Sequence, residues 1–268
     1  MTFKTHGDEQ QQLHKLVEEL SRVPLWTQRT SAPPPVVSPP GSALAEDDKH
    51  TGPYRMSYAV RFALTIAVEH LAGLRSSITD CATCAPHQVN LFLNSSYSIL
   101  RGALENASRA LWLMAPDEST ERVRRRLCMQ TGNIKQSDKF AELSGRSHPA
   151  PKATRLARLQ EIADQAGLTG QSLSMPQYHE IVRAAGEAIA EGQGAHFEKL
   201  WKFCSGAAHG DEWASYGLQE RGEIVLRSDG ISYQATASTA ILTTVTTETA
   251  AVITCAFALY DARMNPSS

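Results

Sequence analysis

Nowhere in this 268-residue chain do apolar residues run uninterrupted for the ~18 positions that a membrane-spanning helix needs. The N-terminus, MTFKTHGDEQQQLHKLVEEL, is polar and carries no apolar core of the kind a secretory leader has. A cytoplasmic protein with no membrane association is therefore expected. Cysteine is scarce, at 5 residues, which argues against a disulfide-stapled scaffold and for free thiols in a reducing compartment. No Gly-rich phosphate loop and no dinucleotide fingerprint occur, which argues against nucleotide enzymes of those types. No internal repeat is present, and alternation of strand type is confined to one stretch. Charge of one sign is lacking overall, at a net −2, but that balance is uneven. Arg101 to Arg158 holds 12 Lys/Arg against 6 Asp/Glu, so this stretch carries +6 and the remainder −8.

Helical periodicity dominates what is present. Leu13, Leu16, Val17 and Leu20 form a stripe on a short N-terminal helix, roughly 10–22, whose partner is either the chain's own bundle or another molecule. Prolines 24, 33, 34, 35, 39, 40 and 53 are 7 of the 13, and they make 23–55 read as an extended tether. The expected organisation is thus an N-terminal helix over 1–22, a Pro-rich linker over 23–55 and a bundle domain over 56–263. Within the bundle, helices are expected at 56–79, 86–114, from an Asp117 cap to about 144 with a bend at Gly132, 153–165, 178–190 and 197–208. EIVLRSDGISYQA, with Ser228-Asp229-Gly230 as its turn, reads as a hairpin lying on the helices. The Thr- and Val-rich segment 238–263 is read as helix because of its length and the spacing of Ile241, Val245, Ala256 and Leu259. The fold class is all-α, a helical bundle with one small β-hairpin near the C-terminus.

Four features bear on chemistry. Asn94, Ser98, Arg101, Glu105, Ser108 and Trp112 fall on one seam of a helix at steps of three and four. Arg101 preceding Glu105 is the weaker order for helix stabilisation, so tertiary partners are expected for the pair, as a structural salt bridge or as a site. In WKFCSGAAHGDEW, Ser205 and His209 stand one turn apart. His209 either meets the helix C-terminus or acts as a general acid/base, and it is the leading catalytic candidate. Cys81, Cys84 and His87 have the gaps of a metal knuckle, but a structural zinc site needs four ligands and no second Cys pair exists. Loop thiols are the expectation, with no metal and no cofactor. Arg122, Arg124, Arg125 and Arg126 spread around a helix, and Arg122 and Arg125 are candidate contacts to an anion, against a salt-bridged surface as the alternative.

Leu-Arg-Gly-Ala-Leu-Glu at 100–105, Ala-Leu-Trp-Leu at 110–113 and Glu-Arg-Val-Arg-Arg-Arg-Leu at 121–127 resemble one signature of a group of helical proteins found in actinobacteria. Trp201, Ser205-Gly206, Ala208-His209-Gly210 and Trp213-Ala214 resemble its second signature, and the likeness spans roughly 58–263. That group has no assigned activity. The chain is more loosely similar to the HEPN superfamily, small dimeric helical bundles in which an Arg four to six residues before a His cuts RNA at a dimer interface. Here those positions are Phe203, Cys204 and Ser205, and Lys202 is seven residues before His209. The resemblance implies a homodimer, and Arg101 on another helix takes the place of the motif's arginine only if the fold brings it close to His209.

Two functions are in contention. One is phosphate-directed acid/base chemistry on RNA by His209, Arg101 and Glu105, with Ser205, Asn94, Trp112, Arg122 and Arg125 as binding residues. The other is a regulatory module that binds a small anion in the same pocket or docks a partner through the N-terminal helix. Shared chemistry requires His209 within about 10 Å of Arg101 in one cleft. It also matters which groups satisfy Glu105.

Overall fold

In the computed structural model, which describes residues 6–33, 37–79, 91–228 and 230–266, one helix organises the others. This is α5, Ser95–Met114, whose Leu100, Ala103, Leu104, Ala107, Ala110 and Leu111 recur at helical spacing and are all buried. Four helices make its main contacts: α4, Met56–Thr79; α8, Tyr178–Ile189; α9, Gly194–His209; and the long α11, Thr239–Met264. α8 also lies against α9. The stripe expected on α4, from Val60 through Leu74, is buried. A second, smaller apolar cluster joins α6, Ser119–Leu143, to α7, Lys152–Gln165, through Val123, Leu127, Leu159 and Ile162. The all-α bundle with one hairpin near the C-terminus is therefore the observed architecture.

The tether is the principal departure. Residues 23–55 hold two helices, α2 at Val23–Ser31 and α3 at Ala43–Thr51. Pro24 sits in the first turn of α2, where its missing N–H has no partner to lose. Ser42 caps α3 by accepting from the Ala45 N–H at 3.2 Å. Gly52 ends α3 with φ 58°, a conformation that glycine adopts without strain. The prolines thus punctuate short helices. Val23, Trp26 and Leu44 join the main core, so this segment belongs to the bundle.

The N-terminal helix α1, His6–Leu20, lies on α11, with Leu16 and Leu20 fully buried and the Thr243 hydroxyl donating to the Gln12 carbonyl at 3.0 Å. Its apolar stripe is covered by the chain's own body. α11 is long and apolar enough, by length and composition, to cross a membrane. Here it serves as a packed helix, with Leu242, Val252, Ile253 and Ala256 in the core. Several of its threonines, Thr244, Thr249 and Thr254 among them, donate to carbonyls one turn back, which satisfies their hydroxyls within the helix.

Other boundaries also moved. The helix expected from 86 starts at Ser95, and residues 80–90 lie outside the described ones. Glu118, not Asp117, holds the N-cap position of α6 with extended backbone, and the Asp117 carboxylate meets Arg263 at 3.2 Å. α6 runs unbroken through Gly132, where a Cβ would meet the Met175 side chain at 3.2 Å. The hairpin pairs β1, Gln219–Arg227, with β2, Gly230–Ala237, antiparallel, with a register shift between Arg221 and Ile224. It does not lie on the helices as expected. Its extensive contacts are between its own strands, and Ile224, Val225 and Leu226 are exposed. Buried Leu218 and the Ser238 N–H to Leu218 carbonyl bond (3.0 Å) anchor its base.

Cys128 and Cys204 are buried free thiols, as their apolar surroundings suggested. Burial pushes the Cys204 thiol up to about 12, against a weaker pull down from the Arg101 charge. It raises Cys128 as well. Since the thiolate is the reactive form, iodoacetamide at pH 8 should leave both residues unmodified in the folded protein and label both in urea. Mass spectrometry of the peptides checks this, and rapid native labelling of Cys204 would contradict its burial.

Candidate functional site

Arg101 sits mid-way along α5, on the side that faces α9. Its neighbour Gly102 lets α5 approach α4 closely, since a Cβ there would run into the His70 ring. Arg101 Nε donates to Glu105 Oε1 at 2.8 Å, and Trp201 Nε1 donates to the same oxygen at 2.7 Å. The carboxylate that lacked a stronger partner in sequence is thus satisfied across helices, by an indole from α9. The Arg101 guanidinium also lies over the Trp201 ring, 5.6 Å from its centroid. The ion pair is only partly withdrawn from water, with side chains 25% and 15% exposed, so it is positioned and still reachable.

His209 is the last residue of α9. Gly210 follows with φ 75°, and the Asp211 N–H closes back on the Gly206 carbonyl at 2.9 Å, which fixes where the helix stops. Gly206 admits the Trp213 ring, which a Cβ would displace. At this end His209 Nε2 stands 3.4 Å from Arg101 Nη1, well inside the distance that shared chemistry requires. A guanidinium only donates, so in this contact Nε2 stands as the acceptor. His209 is exposed. The outcome is a linear array, Trp201–Glu105–Arg101–His209, half-buried at the indole end and open at the imidazole end.

Beside it lies a cleft of about 520 Å³ between α8 and α9, lined by His179, Trp201, Lys199 and Lys202. The His179 and Trp201 rings are 6.1 Å apart and tilted. Glu198, at the same cleft, is paired with Arg183 at 3.3 Å. The cleft therefore presents an indole, an imidazole and two ammonium groups next to the array.

The other sequence candidates divide. Ser205 is buried and makes no hydrogen bond with His209 among the described residues, so the serine–histidine pair is not formed. Asn94 is at the start of α5, where its side-chain oxygen accepts from Ser215 at 3.4 Å. Trp112 is buried beneath the Arg125 guanidinium, whose Nη1 donates to the Trp112 carbonyl at 2.6 Å. Arg125 also donates to Glu121 at 2.8 Å. Arg122 is buried and held by Asp47 from α3, at 2.7 and 2.9 Å. Trp112, Arg122 and Arg125 are thus internal braces and do not join the array. Glu121, gripped by Arg124 and Arg125, is held below the usual carboxylate range. Cys81, Cys84 and His87 lie outside the described residues, and no group of three metal-ligating side chains occurs among the described ones.

Trp201, Lys199, Lys202 and His179 went unselected in sequence. Trp201 precedes Ser205 and His209 by steps of four, which places it on their face of α9, and this spacing was a usable signal. Nothing local marks His179, because α8 meets α9 only through tertiary packing. No family model, curated protein or solved structure matches the chain.

Proposed function

We propose that the face built from Arg101, Glu105, Trp201 and His209 binds single-stranded RNA and cleaves it by metal-independent acid/base chemistry, with a homodimer as the working unit. The observation that carries the reading is the 3.4 Å approach of Arg101 Nη1 to His209 Nε2, with Glu105 fixing the guanidinium from behind. Arg101 supplies a positive fork suited to a phosphate, and His209 supplies an unprotonated nitrogen at its edge. Trp201 and His179 offer faces on which an unpaired base stacks, and Lys199 and Lys202 follow the backbone.

In this scheme Arg101 Nη1 turns from His209 Nε2 to the phosphate, and the freed Nε2 takes the 2′-hydroxyl proton while the 2′-oxygen attacks phosphorus. The bond from phosphorus to the 5′-oxygen breaks, the 5′-oxygen takes a proton from water, and His209 returns its own to solvent. The products are a 2′,3′-cyclic phosphate and a 5′-hydroxyl. The test is a labelled single-stranded RNA incubated with the chain in EDTA, beside the same strand with deoxyribose at every position. Cleavage of the RNA alone, with cyclic phosphate ends, is expected. An intact RNA strand overturns the proposal. An intact strand that still binds at the array would establish the regulatory module in its place.

A further inference from the structure

Arg109 stands on α5 one turn beyond Glu105, yet no acid answers it among the described residues. Its Nη2 donates to the Tyr178 hydroxyl at 2.6 Å, and the guanidinium carbon lies 5.3 Å from the centre of that ring. Both contacts are to a neutral group. Nε is buried without an acceptor, and Nη1 has no partner among the described residues. Glu105 is already held by Arg101 and Trp201. A half-buried guanidinium that loses water on one side and gains no counter-charge there is costly, and a bound anion offsets that cost.

Arg109 lines a cleft of about 330 Å³ among α5, α6 and the segment 174–178 that leads into α8. Lys135 of α6 lines it as well, and no aspartate or glutamate does. Lys135 makes no ion pair or hydrogen bond among the described residues. The acid one turn on, Asp138, is taken by Arg155 at 2.9 Å and by Lys152 at 3.8 Å. Glu180, beyond Tyr178, is turned to the Gln177 N–H at 2.6 Å, where it caps α8. The cleft thus keeps two cations that no carboxylate pairs. The side-chain amides of Asn133 and Gln136, on the same wall, also make no hydrogen bond among the described residues. Met129 and Met175 supply an apolar part of the wall, and Met175 seats against Gly132, where a Cβ would stand 3.2 Å from it.

Two cations in one small cleft match a group that concentrates its charge. A phosphomonoester carries about −1.5 to −2 and three acceptor oxygens on one group, so a guanidinium and an ammonium can share it. A dicarboxylate of the same charge sets its two groups apart. The volume is at the lower end for small organic ligands, which limits the body that the phosphate carries, and free amides suit hydroxyl groups on that body. We propose that this cleft binds a small organic monophosphate with a hydroxyl-bearing body, with Arg109 and Lys135 taking the phosphate and Asn133 and Gln136 the hydroxyls. None of these residues belongs to the Arg101–His209 array, and the proposal stands independently of RNA cleavage.

The probes are inorganic phosphate, glycerol 3-phosphate and succinate, each added to the full chain at matched ionic strength with chloride as reference. Phosphate at about 10 mM should raise the melting temperature by a few degrees over chloride. By titration calorimetry, glycerol 3-phosphate should bind roughly fivefold more tightly than phosphate, and succinate roughly tenfold more weakly than glycerol 3-phosphate. Lys135 is exposed, so Lys135→Gln should melt as the unmodified chain does while losing about tenfold in glycerol 3-phosphate affinity. Arg109→Lys keeps the charge but loses the planar fork that Tyr178 positions, and its affinity should fall by about as much. The proposal is overturned if phosphate and glycerol 3-phosphate act no differently from chloride. Lys135→Gln binding glycerol 3-phosphate as the unmodified chain does overturns it too, whether or not Arg109→Lys folds. Succinate binding as tightly as glycerol 3-phosphate overturns the assignment to a phosphate.

Discussion

If the proposed reading holds, replacing His209 with alanine should lower the rate of RNA cleavage by roughly 10²- to 10⁴-fold, the usual contribution of a positioned general base. The fold has little reason to respond. His209 is exposed, and α9 is stopped by Gly210 and by the backbone bond from Asp211 to Gly206, neither of which uses the imidazole. A surface change of this kind shifts stability by about 0.5 kcal/mol or less, so a lost rate is a lost function. RNA affinity should hold within a few-fold, because Arg101, Lys199 and Lys202 remain. Arg101→Lys is the companion variant. It keeps the charge but loses the Nε bond to Glu105 and the planar fork, and both binding and rate should fall. Gel-resolved single-turnover kinetics with each variant reads these effects. The same slow rate in His209→Ala and in the unmodified chain would sink the assignment of the base.

The array was partly legible before any coordinates. Arg101 and Glu105 are one turn apart on a helix with a wide apolar band, and Arg preceding Glu implied a tertiary partner. That partner is Trp201, whose indole reaches the carboxylate at 2.7 Å. His209 was marked by its place before Gly210. Their meeting, and His179 beside them, depends on how α8 and α9 dock on α5, which no local spacing encodes. The seam also misled. Residues in register on α5 face different neighbours along its length, so Arg101 reaches the rim while Trp112 is covered by Arg125. The Pro-rich segment misled for another reason. Composition counts prolines, but their effect depends on position, and Pro24 in a first turn and Ser42 as a cap build helices where an average reads a tether. The sequence left Arg122 open between an anion contact and a salt-bridged face, because its acid, Asp47, lies inside that segment, 75 residues away.

Removing that acid should produce the largest loss of stability in the molecule. Asp47 is 0% exposed and Arg122 3%, and the pair ties α3 to α6. Its carboxylate also accepts from the Ser119 hydroxyl at 2.6 Å, at the first residue of α6. The remaining guanidinium nitrogen donates to the Pro116 carbonyl at 2.9 Å and to the Asp117 carbonyl, so Arg122 also secures the turn before the helix. Asp47→Ala leaves a guanidinium enclosed with no counter-charge and a cavity beside it. Breaking one side of such a pair costs about 3–5 kcal/mol, a large part of the roughly 5–15 kcal/mol that holds a domain together. Urea unfolding followed by circular dichroism should show the midpoint falling sharply or the protein failing to accumulate. The double change Asp47→Leu with Arg122→Met removes both charges and keeps the volume, and it should recover most of the loss, because the desolvation cost disappears with the attraction. Recovery in the double variant separates an uncompensated charge from mere loss of packing. An unchanged midpoint in Asp47→Ala would mean that water reaches Arg122 and that the α3–α6 joint is held by its apolar contacts alone.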